Sequence, residues 1–448
     1  MKTLIKNGTV VNADGRFLSD VLTEDGVITA LGSNLGAADE VIDASGCLVM
    51  PGFIDTHTHF DLDLMVTLTA DNFATGTRAA VLGGTTTVLD FATQDRGGTL
   101  QKALDRWHDM AKGSSCNYGF HMAIATWNDS VAAELGSMLE QGVSSYKMYM
   151  VYDALYMDDG SIYAALKEAK RFGALMGMHC ENWEVLKRRI DEVHALGIYG
   201  PEGHPLSRPA EVEAEAVARY MRIAQLAQSP VYVVHLSTAE GLAEARRARE
   251  RGQIVYLETC PQYLYLTDDR YKDPDGAKFV MSPPLRKAAD NEALMRALAA
   301  REIDFVGTDH CSFTMAQKAL GKDDFTRIPN GGAGVQHRGQ LIYNAVKEGR
   351  MSAERMVECL STTAARLFGM KDRGAIAPNM AADIVVWADG EGCITDANTA
   401  HNCDNSPFNG VKTHGYARDV VLNGEPVVLN GELISAGRGK FIKRDRCY

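Results

Sequence analysis

Residues 50–59 read Met-Pro-Gly-Phe-Ile-Asp-Thr-His-Thr-His, an apolar run that carries two histidines, His57 and His59, one residue apart. On a strand, side chains repeat every second residue, so both rings face the same way. Two imidazoles side by side at a strand end can hold a divalent metal in a partly open shell. Two surface histidines on a loop are the other meaning of such a pair. The Pro51-Gly52 turn before the run favours metal, and so do ligand-type residues further along: Lys147 in SSYKMYM, His179 in GMHCEN, His235 in VVHLS and Asp309 in VGTDH. Each sits in or at the end of a short apolar run.

Those runs need a scaffold. Apolar stretches alternate with helix-like ones from Met50 to about Gly369. Strands are expected over residues 48–60, 85–93, 117–125, 144–150, 175–182, 230–238, 253–260 and 304–310. Between them, residues 100–112, 162–172, 210–228 and 239–251 are charged and periodic in the helical sense. Eight strands, each followed by a helix or a long excursion, count out a (β/α)8 TIM barrel. No GxGxxG follows the first strand, which speaks against a doubly wound open sheet. Both chain ends read as β, with Asp25-Gly26 and Asn423-Gly424 as hairpin turn signals. Neither end has enough strands to stand alone, so one small sandwich built from both termini is expected. The expected division is therefore 1–49 and 378–448 for the sandwich and tail, and 50–377 for the barrel.

Composition sets the outer bounds. A chain of 448 residues can bury a large core, and 46% hydrophobic with 23% charged residues is ordinary for a globular protein. A net charge of -12 argues against nucleic-acid or anionic-membrane partners. The N-terminal residues lack the apolar core of a signal peptide, and no run approaches membrane-spanning length. Nine cysteines without a CxxC pair fit reduced thiols in a cytoplasm.

On a barrel, chemistry collects at the C-terminal ends of the strands, and all six ligand-type residues fall there. Lys147 is the most telling. A bare ammonium inside a barrel costs several kcal/mol unless paired or neutralised. Pairing with Asp309 or another acid is one solution. The other is reaction of the amine with carbon dioxide, giving a carbamate whose two oxygens can bridge two cations. His57, His59 and Asp309 would then serve one metal, and His179 and His235 the other. Nitrogen and oxygen ligands without thiolate suit Zn²⁺, with Mn²⁺, Fe²⁺ or Co²⁺ as substitutes.

Together with these residues, several segments give the chain a resemblance to the amidohydrolase superfamily, and within it to the D-hydantoinase and dihydropyrimidinase family, bacterial phenylhydantoinases included. They are Gly83-Gly84-Thr85-Thr86, Lys147-Met148-Tyr149-Met150-Val151-Tyr152, Glu258-Thr259-Cys260-Pro261, Met281-Ser282-Pro283-Pro284-Leu285-Arg286 and the stretch from Lys322 to Gly331. The resemblance spans essentially the whole chain. It implies a barrel with a two-ended β-sandwich, a carboxylated lysine, usually two zinc ions, and a homotetramer. It also implies that Tyr152, Ser282 and Asn330 meet the substrate. By spacing alone these three read as one more aromatic in a Tyr-rich loop, a turn residue before two prolines, and a routine loop Asn.

The implied reaction is ring opening of a cyclic ureide to an N-carbamoyl amino acid. Asp309 would move the proton and Tyr152 would meet the developing oxyanion. Dihydroorotase commonly carries an arginine soon after its HxH pair. Here Phe60-Asp61-Leu62-Asp63 follows, which argues against that activity. Loops 62–68, 94–98 and 153–159 are expected to meet the ring substituent, with Leu64, Met65 and Tyr156 forming an apolar pocket or simply packing as loops. Allantoinase is the rival enzyme, and a dihydropyrimidinase-like scaffold that has lost its metal ligands is the non-catalytic rival.

Overall fold

The computed structural model describes residues 1–448. Eight parallel strands run in sequential order: β1 (Phe53–Thr58), β2 (Thr85–Thr93), β3 (Asn117–Ala123), β4 (Ser145–Tyr149), β5 (Leu175–His179), β6 (Val231–Val233), β7 (Val255–Thr259) and β8 (Phe305–Val306). Just beyond β8 the ring closes on β1. His59 N–H donates to the His310 carbonyl at 2.8 Å and His310 N–H to that of His57 at 3.3 Å. Helices such as Leu100–Met110, Asp159–Phe172, Ala210–Ala227 and Ala239–Glu250 return the chain between strands, where the 3.6-residue periodicity predicts them. Asp158 caps the second of these by accepting from Ser161 N–H, and Gly173, at φ 64°, ends it in the left-handed region.

The two chain ends share their strands. A four-stranded sheet contains Lys2–Lys6, Asp20–Glu24, Val27–Gly32 and Glu40–Asp43. In the seven-stranded sheet, Leu48–Pro51 pairs with Thr9–Asn12 on one side and with the C-terminal Ile384–Cys393 on the other. Ile5, Val10, Val21 and Ile28 from one end pack with Ile384, Val386 and Val421 from the other.

The stretch 48–60, expected as one strand, is two. Leu48–Pro51 belongs to the sandwich, and only Phe53 onward enters the barrel. Gly52 lies at the joint, where a β-carbon would meet Thr86 Oγ1 at 2.0 Å. The last expected strands also stop early. His235 and Asp309 lie beyond the regular ladder, at φ 39° and 53°.

After the sandwich the chain returns to the N-terminal end of the barrel. Tyr118 N–H donates to Lys440 C=O and Ile442 N–H to Tyr118 C=O, while Asp445 and Cys447 bond to Gly369 and Gly173. This path buries Arg444 completely beneath β3 and β4. All nine cysteines are free. No helix is long and apolar enough to cross a membrane.

Candidate metal centre

Strand β1 is braced before it presents its histidines. Asp55 accepts from His57 N–H at 3.1 Å and from the Thr308 hydroxyl at 2.7 Å. Asp90 on β2 accepts from Thr58 Oγ1, Phe60 N–H and Trp107 Nε1–H at 2.8–2.9 Å. The two rings then emerge on one face, as the period of two requires, 5.2 Å apart. Asp309 Oδ1 stands 3.1 Å from His57 Nε2 and 3.3 Å from His59 Nε2. These three residues offer ligand atoms all within 4.8 Å of one another.

The other three ligand-type residues adjoin this cluster. Lys147 Nζ is 2.9 Å from His57 Nε2, and it lies over the Phe91 and Tyr149 rings. His179 Nδ1 faces His235 Nε2 at 3.1 Å, and the His235 ring is 5.4 Å from that of His57. So the structure brings His57, His59, Lys147, His179, His235 and Asp309 to one place. The hydrogen-bond partner of Lys147 is an imidazole and not Asp309.

Two carboxylates set the imidazole tautomers, and sequence reasoning gave neither a role. Glu258 on β7 is 2.6 Å from His57 Nδ1, and Glu181 is 2.7 Å from His179 Nε2. A carboxylate that takes one ring N–H leaves a lone pair on the other nitrogen. That leaves His57 Nε2 free towards Lys147 and Asp309, and His179 Nδ1 free towards His235. Carboxylates oriented this way behind imidazoles are the usual outer support of a metal site. The available signal was a charged residue inside an apolar strand for Glu258, and an acid two residues after His179 for Glu181.

Electrostatics agree with a cation here. Burial, helped by Lys147, holds His57 well below the usual imidazole range, so the ring is neutral and able to ligate. Burial likewise lowers His179 and His235. The same burial raises the Glu258 carboxyl, against the hydrogen bond from His235 N–H and the charge of Lys147. Neutral imidazoles facing one another, with His59 Nδ1 and His235 Nδ1 buried and unpartnered, fit a site that takes positive charge from outside.

A cavity of about 710 Å³ opens over the cluster. It is lined by His59, Lys147, His179, His235 and Asp309, and by Tyr152, Ser282 and Asn330. Tyr152 is held at φ 71°, and burial pushes its hydroxyl up to about 12 against the pull of the Arg208 guanidinium, 5.8 Å from its ring. Ser282 Oγ donates to Asn330 Oδ1 at 3.0 Å. Neither the main-chain N–H nor the C=O of Ser282 or Asn330 has a hydrogen-bond partner within the chain. Tyr152, His235 and Asp309 all have positive φ, a costly conformation for non-glycine residues that concentrates at functional sites.

The loops around the mouth partly differ from expectation. Leu62, Leu64, Met65 and Val66 line the cavity, as does Leu155. Tyr156 does not: it bridges back to Tyr149. Residues 94–98 also stay outside, because Gln94 ties the loop down by bonds to Gly98, Ala125 and Thr126. Residues 326–331 take that wall instead.

An eight-stranded barrel with a His–His–Asp cluster at its strand ends defines a metal-dependent hydrolase. A sequence model of the amidohydrolase family matches residues 48–427. The chain is 42% identical to a D-hydantoinase of Streptomyces coelicolor, over 100% of this chain and 98% of the relative. It is 41% identical to a D-phenylhydantoinase of Escherichia coli, over 99% of this chain and 98% of that one. The crystal structure of dihydropyrimidinase from Brevibacillus agri superposes with a TM-score of 0.98 at 41% identity, covering 100% and 99% of the two chains. This chain belongs to the amidohydrolase family, in its hydantoinase and dihydropyrimidinase branch.

Proposed function

We propose that this chain hydrolyses the ring amide of 5-substituted hydantoins or dihydropyrimidines, releasing N-carbamoyl amino acids. One observation carries the reading: a single cavity joins the cluster of ligand-type residues to the unpartnered peptide groups of Ser282 and Asn330. Those groups are complementary to the alternating N–H and C=O edge of a cyclic ureide. The apolar rim from Leu62 to Val66, with Leu155, suits a bulky ring substituent.

Two divalent ions, zinc by donor chemistry, are assigned to the six residues. His57, His59 and Asp309 would hold one and His179 and His235 the other, with a carboxylated Lys147 supplying oxygen ligands. Carboxylation forms a bond between Nζ and the carbon of CO₂ and releases one proton. Burial lowers the Lys147 ammonium, which makes the nucleophilic neutral amine accessible. Metal ions bound here would supply a nucleophile at neutral pH, since a divalent cation lowers the pKa of water towards about 7.

The chain's own groups carry the remaining steps. Ser282 and Asn330 orient the ring so that one carbonyl faces the metal cluster. The Tyr152 hydroxyl, kept protonated by its raised pKa, donates to the developing oxyanion. Asp309 accepts the proton of the attacking water and delivers it to the departing ring nitrogen. Nine free cysteines fit a reducing cytoplasm, and the relatives' activity fits a small cyclic substrate.

Metal analysis of purified protein, with turnover of phenylhydantoin, dihydrouracil and allantoin, tests the reading. Bound metal with turnover of either of the first two is expected. Turnover of allantoin alone would replace the substrate, and a folded protein that neither binds metal nor turns over any of them would be a scaffold.

A further inference from the structure

Lys318 ends the short helix Met315–Lys318 that follows β8, and only 1% of it is exposed. Its Nζ donates to three main-chain carbonyls: Val280 at 2.8 Å, Pro329 at 2.6 Å and Gly331 at 2.7 Å. Burial lowers the ammonium pKa to about 7, and three carbonyl acceptors for its three N–H donors hold the charge without a carboxylate. The titratable groups facing it are the thiols of Cys311 and Cys403, both raised by burial and therefore neutral. The Phe313 ring covers it at 5.4 Å.

The carbonyls it gathers are those around the two residues with free peptide groups. Val280 lies two residues before Ser282, and Pro329 and Gly331 flank Asn330. In a trans peptide the C=O and N–H point in opposite directions. With Pro329 C=O turned to Lys318, the Asn330 N–H points away from it. Gly331 N–H donates to Val280 C=O at 3.0 Å, so the Asn330 C=O points away from Val280. Val280 C=O is itself bound by Lys318, so one ammonium fixes both free groups of Asn330. No larger residue replaces Gly331 in this path. Its φ is 144°, and a β-carbon would meet the Cys311 carbonyl at 2.3 Å.

We propose that Lys318 is a positioning residue that locks the 280–282 and 329–331 segments together, so that the Asn330 and Ser282 peptide groups grip the substrate ring. This rests on the cyclic-ureide reading. Lys318 touches neither substrate nor metal ligand, and it acts through the loops. Its effect therefore falls on ring binding, equally for every ring substituent.

The test is Lys318→Met in the metal-loaded enzyme, assayed with hydantoin and 5-phenylhydantoin. KM should rise about tenfold or more for both, with kcat within about threefold and metal content unchanged. Deuterium exchange at the Gly331 amide, which is bonded to Val280 C=O, should quicken in parallel. A folded variant whose KM stays within about twofold of wild type overturns the clamp. Should Lys318→Met not fold, Lys318→Ala prepared with ethylammonium chloride replaces it. KM that rises when the cation is dialysed away supports the clamp, and KM indifferent to it does not. If the wild type turns over no cyclic ureide, the functional reading has failed separately. Exchange then decides alone, and unchanged protection of the Gly331 amide in the variant sinks the clamp.

Discussion

Strand β4 passes between two buried cations, one at each end of the barrel. At the N-terminal end, Arg444 donates to Ser145 Oγ at 2.8 Å and to the Phe120 carbonyl. At the other end, two residues along the same strand, Lys147 meets an imidazole nitrogen and two aromatic faces. Neither has a carboxylate partner within bonding distance, and burial lowers the pKa of both. Arg444 has neutral oxygens for two of its nitrogens and cannot give up its proton at any ordinary pH. Lys147 has three donors, one nitrogen to receive them, and a proton it can lose. A buried cation met by fixed oxygens is architecture. One left short of acceptors beside the His57 imidazole is poised for chemistry.

Lys147→Ala should break the metal end most severely. No ordinary side chain supplies two oxygens at that reach, so metal content and turnover should fall together, the latter to background. Retention of two metals with near-normal turnover would remove the carbamate. Added short carboxylic acids should return part of the rate by occupying the vacated bridge.

The six ligand-type residues were legible because the barrel repeats one rule eight times: polar residues at the ends of apolar strands are aimed at a common mouth. The HxH pair needed only the strand period. The shared sandwich was legible from two incomplete β segments carrying Asp-Gly and Asn-Gly turns. What stayed hidden depends on partners far away in sequence. Glu258 reads as a lone acid on an apolar strand until His57, 201 residues earlier, is beside it. Arg444 lies in a stretch without periodicity, and only the returning tail places it under β3. The Pro51-Gly52 turn signalled the break at Gly52, yet the apolar residues on both sides read as one strand; Thr86 leaves no room for a β-carbon there. Tyr156 and Leu155 differ by one residue, and the Tyr149–Tyr156 bridge decides which of them meets the cavity.

Asp309→Asn should come next in size. The amide oxygen still coordinates weakly but cannot carry a proton, so kcat should fall on the order of 10²–10⁴. A variant that keeps kcat while only KM rises would move the proton to another group.

Tyr152→Phe separates donor from filler. Loss of an oxyanion donor from a water-poor site costs about 10²–10³ in kcat. Phe fills nearly the same volume, so the unfolding midpoint should not move. A kcat within about threefold of wild type would return Tyr152 to packing, and the metal would have to stabilise the oxyanion alone.

The smallest effect on rate should come from the opposite end. Arg444→Ala opens a void beneath β3 and β4 and strips donors from Ser145 Oγ and the Phe120 carbonyl. The cost should be about 2–4 kcal/mol of folding stability. Ser145 Oγ retains its 2.6 Å contact with His121 Nδ1, whose Nε2 reaches the Thr56 carbonyl at 3.1 Å. The floor under His57 and Lys147 therefore keeps a second set of bonds, and kcat below the melting range should stay within about threefold of wild type. Thermal unfolding and steady-state kinetics on one preparation separate the two effects. A stable variant with kcat lowered tenfold would mean that Arg444 reaches the metal ligands through Ser145. The two ends of β4 would then have to be treated as one coupled unit.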